Sequence, residues 1–188
     1  NSSDFIISYL GILNAGLIAH LIPTHLSNQK IKQQLDNANP SLIISSNSLI
    51  DKISAIQYKC KKVITTELIG KKFVETFPNS AVEDIAYLIY TSGTTGNPKG
   101  VGITHSNSIF TTNNIIKILN YNKSDINILP LPLSHSFGLG CLHASLFVGA
   151  TLVVLENATD TMLILESIKK NNATTLAAIP LTLTKILK

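Results

Sequence analysis

The apolar positions of this chain come in short bursts whose spacing keeps changing. Ala86-Tyr87-Leu88-Ile89-Tyr90, Ile126-Asn127-Ile128-Leu129 and Thr151-Leu152-Val153-Val154-Leu155 are brief, β-branched or aromatic runs bounded by polar and turn residues, the signature of buried strands. Between such runs the period lengthens. Ile31, Leu35 and Ala38 recur at helical spacing after Ser27, whose short oxygen side chain can cap a helix start. The pattern predicts helices over residues 4–16, 27–40, 49–58, 107–119, 135–148 and 159–170, with one more beginning near Pro180, a favoured first-turn residue. It predicts strands over 17–22, 41–45, 63–66, 86–90, 101–104, 126–129, 151–155 and 174–178, and reads 70–84 as irregular. Strands and helices alternate, with connections too short for separate domains. The expected fold class is α/β, a mainly parallel sheet with helices on both faces.

Composition fits that picture. With 188 residues, 45% hydrophobic, the chain suffices for one substantial core or a large piece of one. A mean hydropathy of +0.28 suits strands buried on both sides. The net charge is +4, and all 15 basic residues are lysines. Without arginine, and with its lysines scattered, the chain argues against a nucleic-acid partner. The clusters Lys59, Lys61, Lys62 and Lys71-Lys72 read as solvated surface. Cys60 and Cys141 are too far apart for a disulfide framework or a zinc spacing, so a reduced, cytoplasmic setting is expected. Residues 5–22 form the one stretch that invites a membrane reading, but Asn14, His20 and two glycines interrupt it, and it is read as a helix and then a buried strand. The sequence begins at Asn1 rather than Met, so it is expected to be an excised piece.

Candidate chemistry is concentrated directly after the apolar run Ala86-Tyr87-Leu88-Ile89-Tyr90. Residues 91–100 read Thr-Ser-Gly-Thr-Thr-Gly-Asn-Pro-Lys-Gly. Glycines let backbone N–H groups approach an anion closely. Thr91, Ser92, Thr94 and Thr95 add hydroxyl donors, and Lys99 adds a mobile positive charge. The run is not a P-loop. Gly93 and Gly96 stand too close together, and Lys99 is followed by Gly100 rather than by a hydroxyl that could meet magnesium. A polar surface loop is the plainer alternative.

Tyr90 through Gly100 resembles the signature loop of the adenylate-forming enzymes: acyl-CoA synthetases, adenylation domains of peptide synthetases, and luciferases. The continuation Val101-Gly102-Ile103-Thr104-His105-Ser106-Asn107 is similar to that family too. So are Leu131-Pro132-Leu133-Ser134-His135-Ser136-Phe137-Gly138 and an opening segment carrying Gly11, Leu13, Ala15 and Gly16. The resemblance covers nearly the whole chain. It implies a partial AMP-binding domain over 1–188, a subdomain of the large N-terminal portion of such an enzyme. It implies phosphate contacts from Thr91, Ser92, Gly93, Thr94, Thr95, Gly96 and Lys99, and an acyl pocket at His135, Phe137 and Gly138. The implied partners are a small-molecule carboxylic acid, ATP with Mg2+, and CoA or a carrier-protein thiol.

The family's downstream aromatic-Gly-x-Thr-Glu segment, ribose aspartate, hinge and C-terminal lysine domain are not found here. The isolated piece is therefore expected to form no acyl-adenylate. No resident metal site is expected from its side chains. His105 is expected to steady the loop, His20 and His25 to be ordinary, and Cys141 to be a packed thiol. Glu83 and Asp84 are expected to face water. Two other readings stay open: a non-catalytic phosphate-binding module, and a peripheral membrane protein anchored through 5–22.

Overall fold

A computed structural model of the chain describes residues 1–68, 78–91, 98–156 and 160–187. By their contacts they divide into two compact units, residues 4–105 and residues 1–3 with 106–188.

The first unit is built from α1 (Ser3–Asn14), β1 (Ala19–His20), α2 (Asn28–Ala38), β2 (Leu42–Ser45), α3 (Ile50–Ala55), β3 (Lys61–Ile64), β4 (Ile85–Thr91) and β5 (Lys99–Thr104). Its larger sheet has the order β1-β4-β5, and β2 and β3 form a separate parallel pair. Ser27 caps α2 as expected, its hydroxyl accepting from Lys30 N at 3.4 Å. Ile31 and Leu35 then point one way and make a core with Ile56, around which Ile22, Leu26, Ile43 and Tyr58 pack. Successive strand residues face opposite sides, so Tyr87 and Tyr90 on β4 look to different faces. Tyr87 meets the buried Tyr9 of α1 edge-on at 6.1 Å, while Tyr90 reaches Asn37 of α2. The sheet thus carries a helix on each face.

The second unit contains α4 (His105–Leu119), β6 (Ile126–Leu129), α5 (Ser136–Val148), β7 (Thr151–Val154), α6 (Thr161–Asn171), β8 (Thr175–Leu176) and α7 (Pro180–Ile186). Its sheet is parallel throughout, in the order β7-β6-β8. Ile128, Leu155 and Ile164 form the centre, covered by Val153, Ile168, Leu176 and Ile186. Asn127 is fully buried in the middle strand, and its amide donates to Ser145 Oγ at 3.2 Å and Tyr121 Oη at 3.3 Å. Asp160 caps α6 by accepting from Leu163 N at 3.0 Å.

The α/β class and the predominance of parallel pairing hold, but among the described residues the strands fall into three sheets rather than one. Short connections restrict which elements adjoin in sequence; they do not decide which strands share a ladder. The exception to parallel pairing is β4 with β5, because a short loop returns the chain directly alongside itself. The strand expected over 17–22 contracts to Ala19–His20, the part that pairs with β4. The helix expected over 49–58 is shorter, a 3-10 turn at Asn47–Leu49 followed by α3. β3 begins at Lys61 rather than at 63, since its register places Lys61 opposite Leu42. Of the irregular stretch expected over 70–84, residues 70–77 lie outside the described residues. No described helix is long and apolar enough to cross a membrane.

Candidate functional site

Of the phosphate-binding residues expected from sequence, Thr91 and Lys99 lie at the turn end of the β4–β5 hairpin. Thr91 is the last residue of β4 and Lys99 the first of β5, and the antiparallel register pairs them directly. Directly opposed residues project from the same face of a sheet, with Cβ atoms about 5 Å apart. A hydroxyl and an ammonium, both on exposed residues, therefore leave the hairpin side by side. Ser92, Gly93, Thr94, Thr95 and Gly96 lie outside the described residues. One step back from this pair, Tyr90 faces Gly100. A Cβ on Gly100 would sit 2.9 Å from Tyr90 Cζ and 3.1 Å from its hydroxyl oxygen, so the ring covers the space that a side chain would take.

A small polar cluster surrounds that ring. The Tyr90 hydroxyl donates to Asn37 Oδ1 at 2.6 Å, and His20 lies against the ring at 4.8 Å between centroids. His20 Nε2 is 3.3 Å from Gln34 Oε1. Burial pushes the Tyr90 phenol up and the His20 imidazole down, the latter partly offset by Gln34, so both groups stay neutral near pH 7. His20, expected to be ordinary, is thus part of the hairpin's footing. The clue available in the sequence was the position of Tyr90 beside Thr91; nothing local pointed to Asn37, Gln34 or His20.

His135, Phe137 and Gly138 come together in the second unit. They line an apolar cleft of about 350 Å³ whose walls also include Leu131, Ile179 and Leu181, with Lys185 beside it. Leu131 follows β6, Thr161 opens α6 after β7, and Ile179 follows β8, so the cleft lies past the carboxyl ends of three parallel strands. Open α/β sheets bind ligands there, because the strand ends part and leave room between the following helices. His135 is the N-cap residue of α5, and its carbonyl accepts from Leu139 N at 3.0 Å. Gly138 is buried so tightly that a Cβ would run into the Pro132 carbonyl, 2.9 Å from its carbon and 3.0 Å from Leu131 O. The lining residues from α6 and α7 carried no motif in the sequence.

The approach to His135 is fixed by Asn1. Its amide donates to Leu131 O at 2.8 Å and Leu155 O at 3.1 Å, and its Oδ1 accepts from Leu133 N at 2.9 Å. One side chain therefore ties the ends of β6 and β7 together. Elsewhere in this unit, His143 Nδ1 is 3.1 Å from Ser108 Oγ, and burial pushes its pKa down to about 4. The Cys141 thiol is pushed up to about 11 by burial, consistent with a packed, unreactive group. Asp84 is engaged in a turn, its carboxylate accepting from Ala81 N at 2.8 Å and its carbonyl from His105 N at 3.1 Å. Among the described residues no group of three or more His, Cys, Asp and Glu side chains gathers where a metal could sit.

The sequence profile of the AMP-binding enzyme family matches residues 1–188. The chain belongs to that family. A PKS-NRPS hybrid synthetase (acdB) of Aspergillus candidus is 27% identical over 96% of the chain and 8% of its own length. 4-Coumarate–CoA ligase 3 of Arabidopsis thaliana is 28% identical over 96% of the chain and 35% of its own length. Among solved structures, the o-succinylbenzoate CoA synthetase MenE of Bacillus subtilis in complex with ATP and magnesium ion superposes with a TM-score of 0.88 at 26% identity. That likeness covers 100% of the chain and 39% of the MenE chain. This member of the AMP-binding family therefore spans well under half the length of these relatives.

Proposed function

We propose that this chain is one part of an AMP-forming acid–thiol ligase. The whole protein activates a carboxylic acid with ATP, giving an acyl-adenylate and pyrophosphate, and passes the acyl group to CoA or a carrier-protein thiol. The observation that carries this reading is the register that sets Thr91 beside Lys99 at the turn end of the hairpin. Attack of a carboxylate on the α-phosphorus brings two anions together. The barrier falls when the leaving pyrophosphate is neutralised by groups already in place. Lys99 supplies the charge, and Thr91 with the hydroxyls and amides of Ser92, Gly93, Thr94, Thr95 and Gly96 supplies hydrogen bonds to the β- and γ-phosphates. Mg2+, carried in on the nucleotide, would share that charge, and the residues present fit such a complex: Thr91 and Lys99 offer a hydroxyl and an ammonium to phosphate oxygens.

The acid's carbon skeleton lies in the apolar cleft, with His135 and Phe137 near its reactive end and Gly138 allowing the close wall. The 188-residue piece alone forms no acyl-adenylate, because acid activation needs segments outside it. We place the protein in the cytoplasm, in metabolism of fatty or related acids. The test is ATP-dependent pyrophosphate release by the full-length protein over a panel of fatty, aromatic and short acids, with and without CoA. Activity that depends on acid and drops at least tenfold in Lys99→Ala is expected. Acid-dependent turnover that ignores the lysine, or release by the isolated piece, would refute the assignment.

A further inference from the structure

β5 is the outer strand of its sheet and has glycine at 100 and 102, two positions that contribute no side-chain packing. A glycine-bearing edge strand is weakly held. Yet its first residue is Lys99, whose charge is useful only where the phosphates lie. Something must hold that end of the hairpin, and the contacts converge on Tyr90. Its ring lies across Gly100, its hydroxyl donates to Asn37 Oδ1 at 2.6 Å and approaches Gln34 O at 3.5 Å, and His20 packs on it. These four partners of Tyr90 sit on three other elements: β5, the last turns of α2, and β1.

We infer that Tyr90 is a positioning residue, clamped between Gly100 and Asn37, that fixes the Thr91–Lys99 pair for contact with the terminal phosphates of ATP. The inference rests on the proposed role of Lys99. It also explains why position 100 is glycine. Any side chain there would push the ring off Gly100 and strain the 2.6 Å bond to Asn37. Because the Tyr90–Asn37 bond lies at the surface, it adds little to folding stability. The signature is therefore altered phosphate recognition in a protein that stays folded.

The experiment is calorimetric titration of the full-length protein with MgATP and, separately, with AMP. Tyr90→Phe is expected to weaken MgATP roughly three- to tenfold, to leave AMP affinity unchanged, and to move Tm by less than about 4 °C. Asn37→Leu should match it, and the double variant should be no worse than either single one. In a Lys99→Ala background Tyr90→Phe should cost nothing further. A Tyr90→Phe protein with unaltered MgATP affinity overturns the inference while leaving the Lys99 assignment intact. So does an equal loss for AMP, or an undiminished loss in the Lys99→Ala background. A silent Lys99→Ala would bring down the phosphate assignment and this inference together.

Discussion

The β4–β5 hairpin and the cleft beyond β6, β7 and β8 solve different problems with different means. The hairpin presents polar groups on exposed residues, and the positions of those groups come from strand register and one tyrosine. The cleft has a buried floor at Leu131 and Gly138, where the backbone approaches so closely that only glycine fits at 138, and exposed apolar walls from Phe137, Ile179 and Leu181. The exposed groups of the hairpin can be altered at little cost in stability, whereas the floor of the cleft is part of the core. Activity and stability should therefore separate cleanly at the hairpin and fail together at the floor of the cleft.

Gly138→Ala gives the strongest test. The added methyl meets backbone rather than a movable side chain, so destabilisation of about 3 kcal/mol is expected, read from denaturant unfolding. A neutral result would break the contrast from the cleft side. Lys99→Ala attacks it from the other. MgATP affinity should fall roughly tenfold or more while unfolding free energy changes by less than about 0.5 kcal/mol, since the residue is exposed.

A pH series sharpens the comparison further, because each unit holds a histidine neutral by burial. For His143 the folded pKa of about 4 lies below the ordinary 6.5. The unfolded chain takes up the proton first as pH falls, so stability is complete above about pH 6.5 and is lost between there and pH 4. About 2 kcal/mol should be gone by pH 5. His20 is lowered as well, so it contributes with the same sign. Equilibrium unfolding from pH 7.5 to 4.5 should show stability rising with pH, and His143→Gln should flatten the slope. The smallest effect is a control. Gly11 in α1 has open space around it, and Gly11→Ala should stabilise by about 0.5–1 kcal/mol on helix propensity alone.

Local signals were legible in the sequence where one short segment carries all the information. β6 falls over the four residues the apolar run marks, Ser27 and Pro180 start their helices, and the Thr91–Lys99 loop stands out by its residue order. What pairing decides was not legible. Leu17 and Ile18 extend the apolar run of β1, yet they are 58% and 51% exposed and outside the ladder. Gln57, with φ of 54°, cuts short the expected third helix through a left-handed turn that its side chain does not announce. The cleft shows the same limit. His135, Phe137 and Gly138 share a motif, but Thr161, Ile179, Leu181 and Lys185 join them only through the stacking of three parallel strands. Likewise Tyr90 and Asn37 meet across 53 positions of chain.

Asn1 carries a consequence for how the protein is made. Its amide waits on Leu131, Leu133 and Leu155, the last of these 154 positions downstream. During synthesis at about 5–20 residues per second, that side chain spends on the order of ten seconds without its partners after leaving the ribosome. The turn ahead of His135 can be locked only after β7 has been translated, so Asn1 closes a contact whose other half is made 154 positions later.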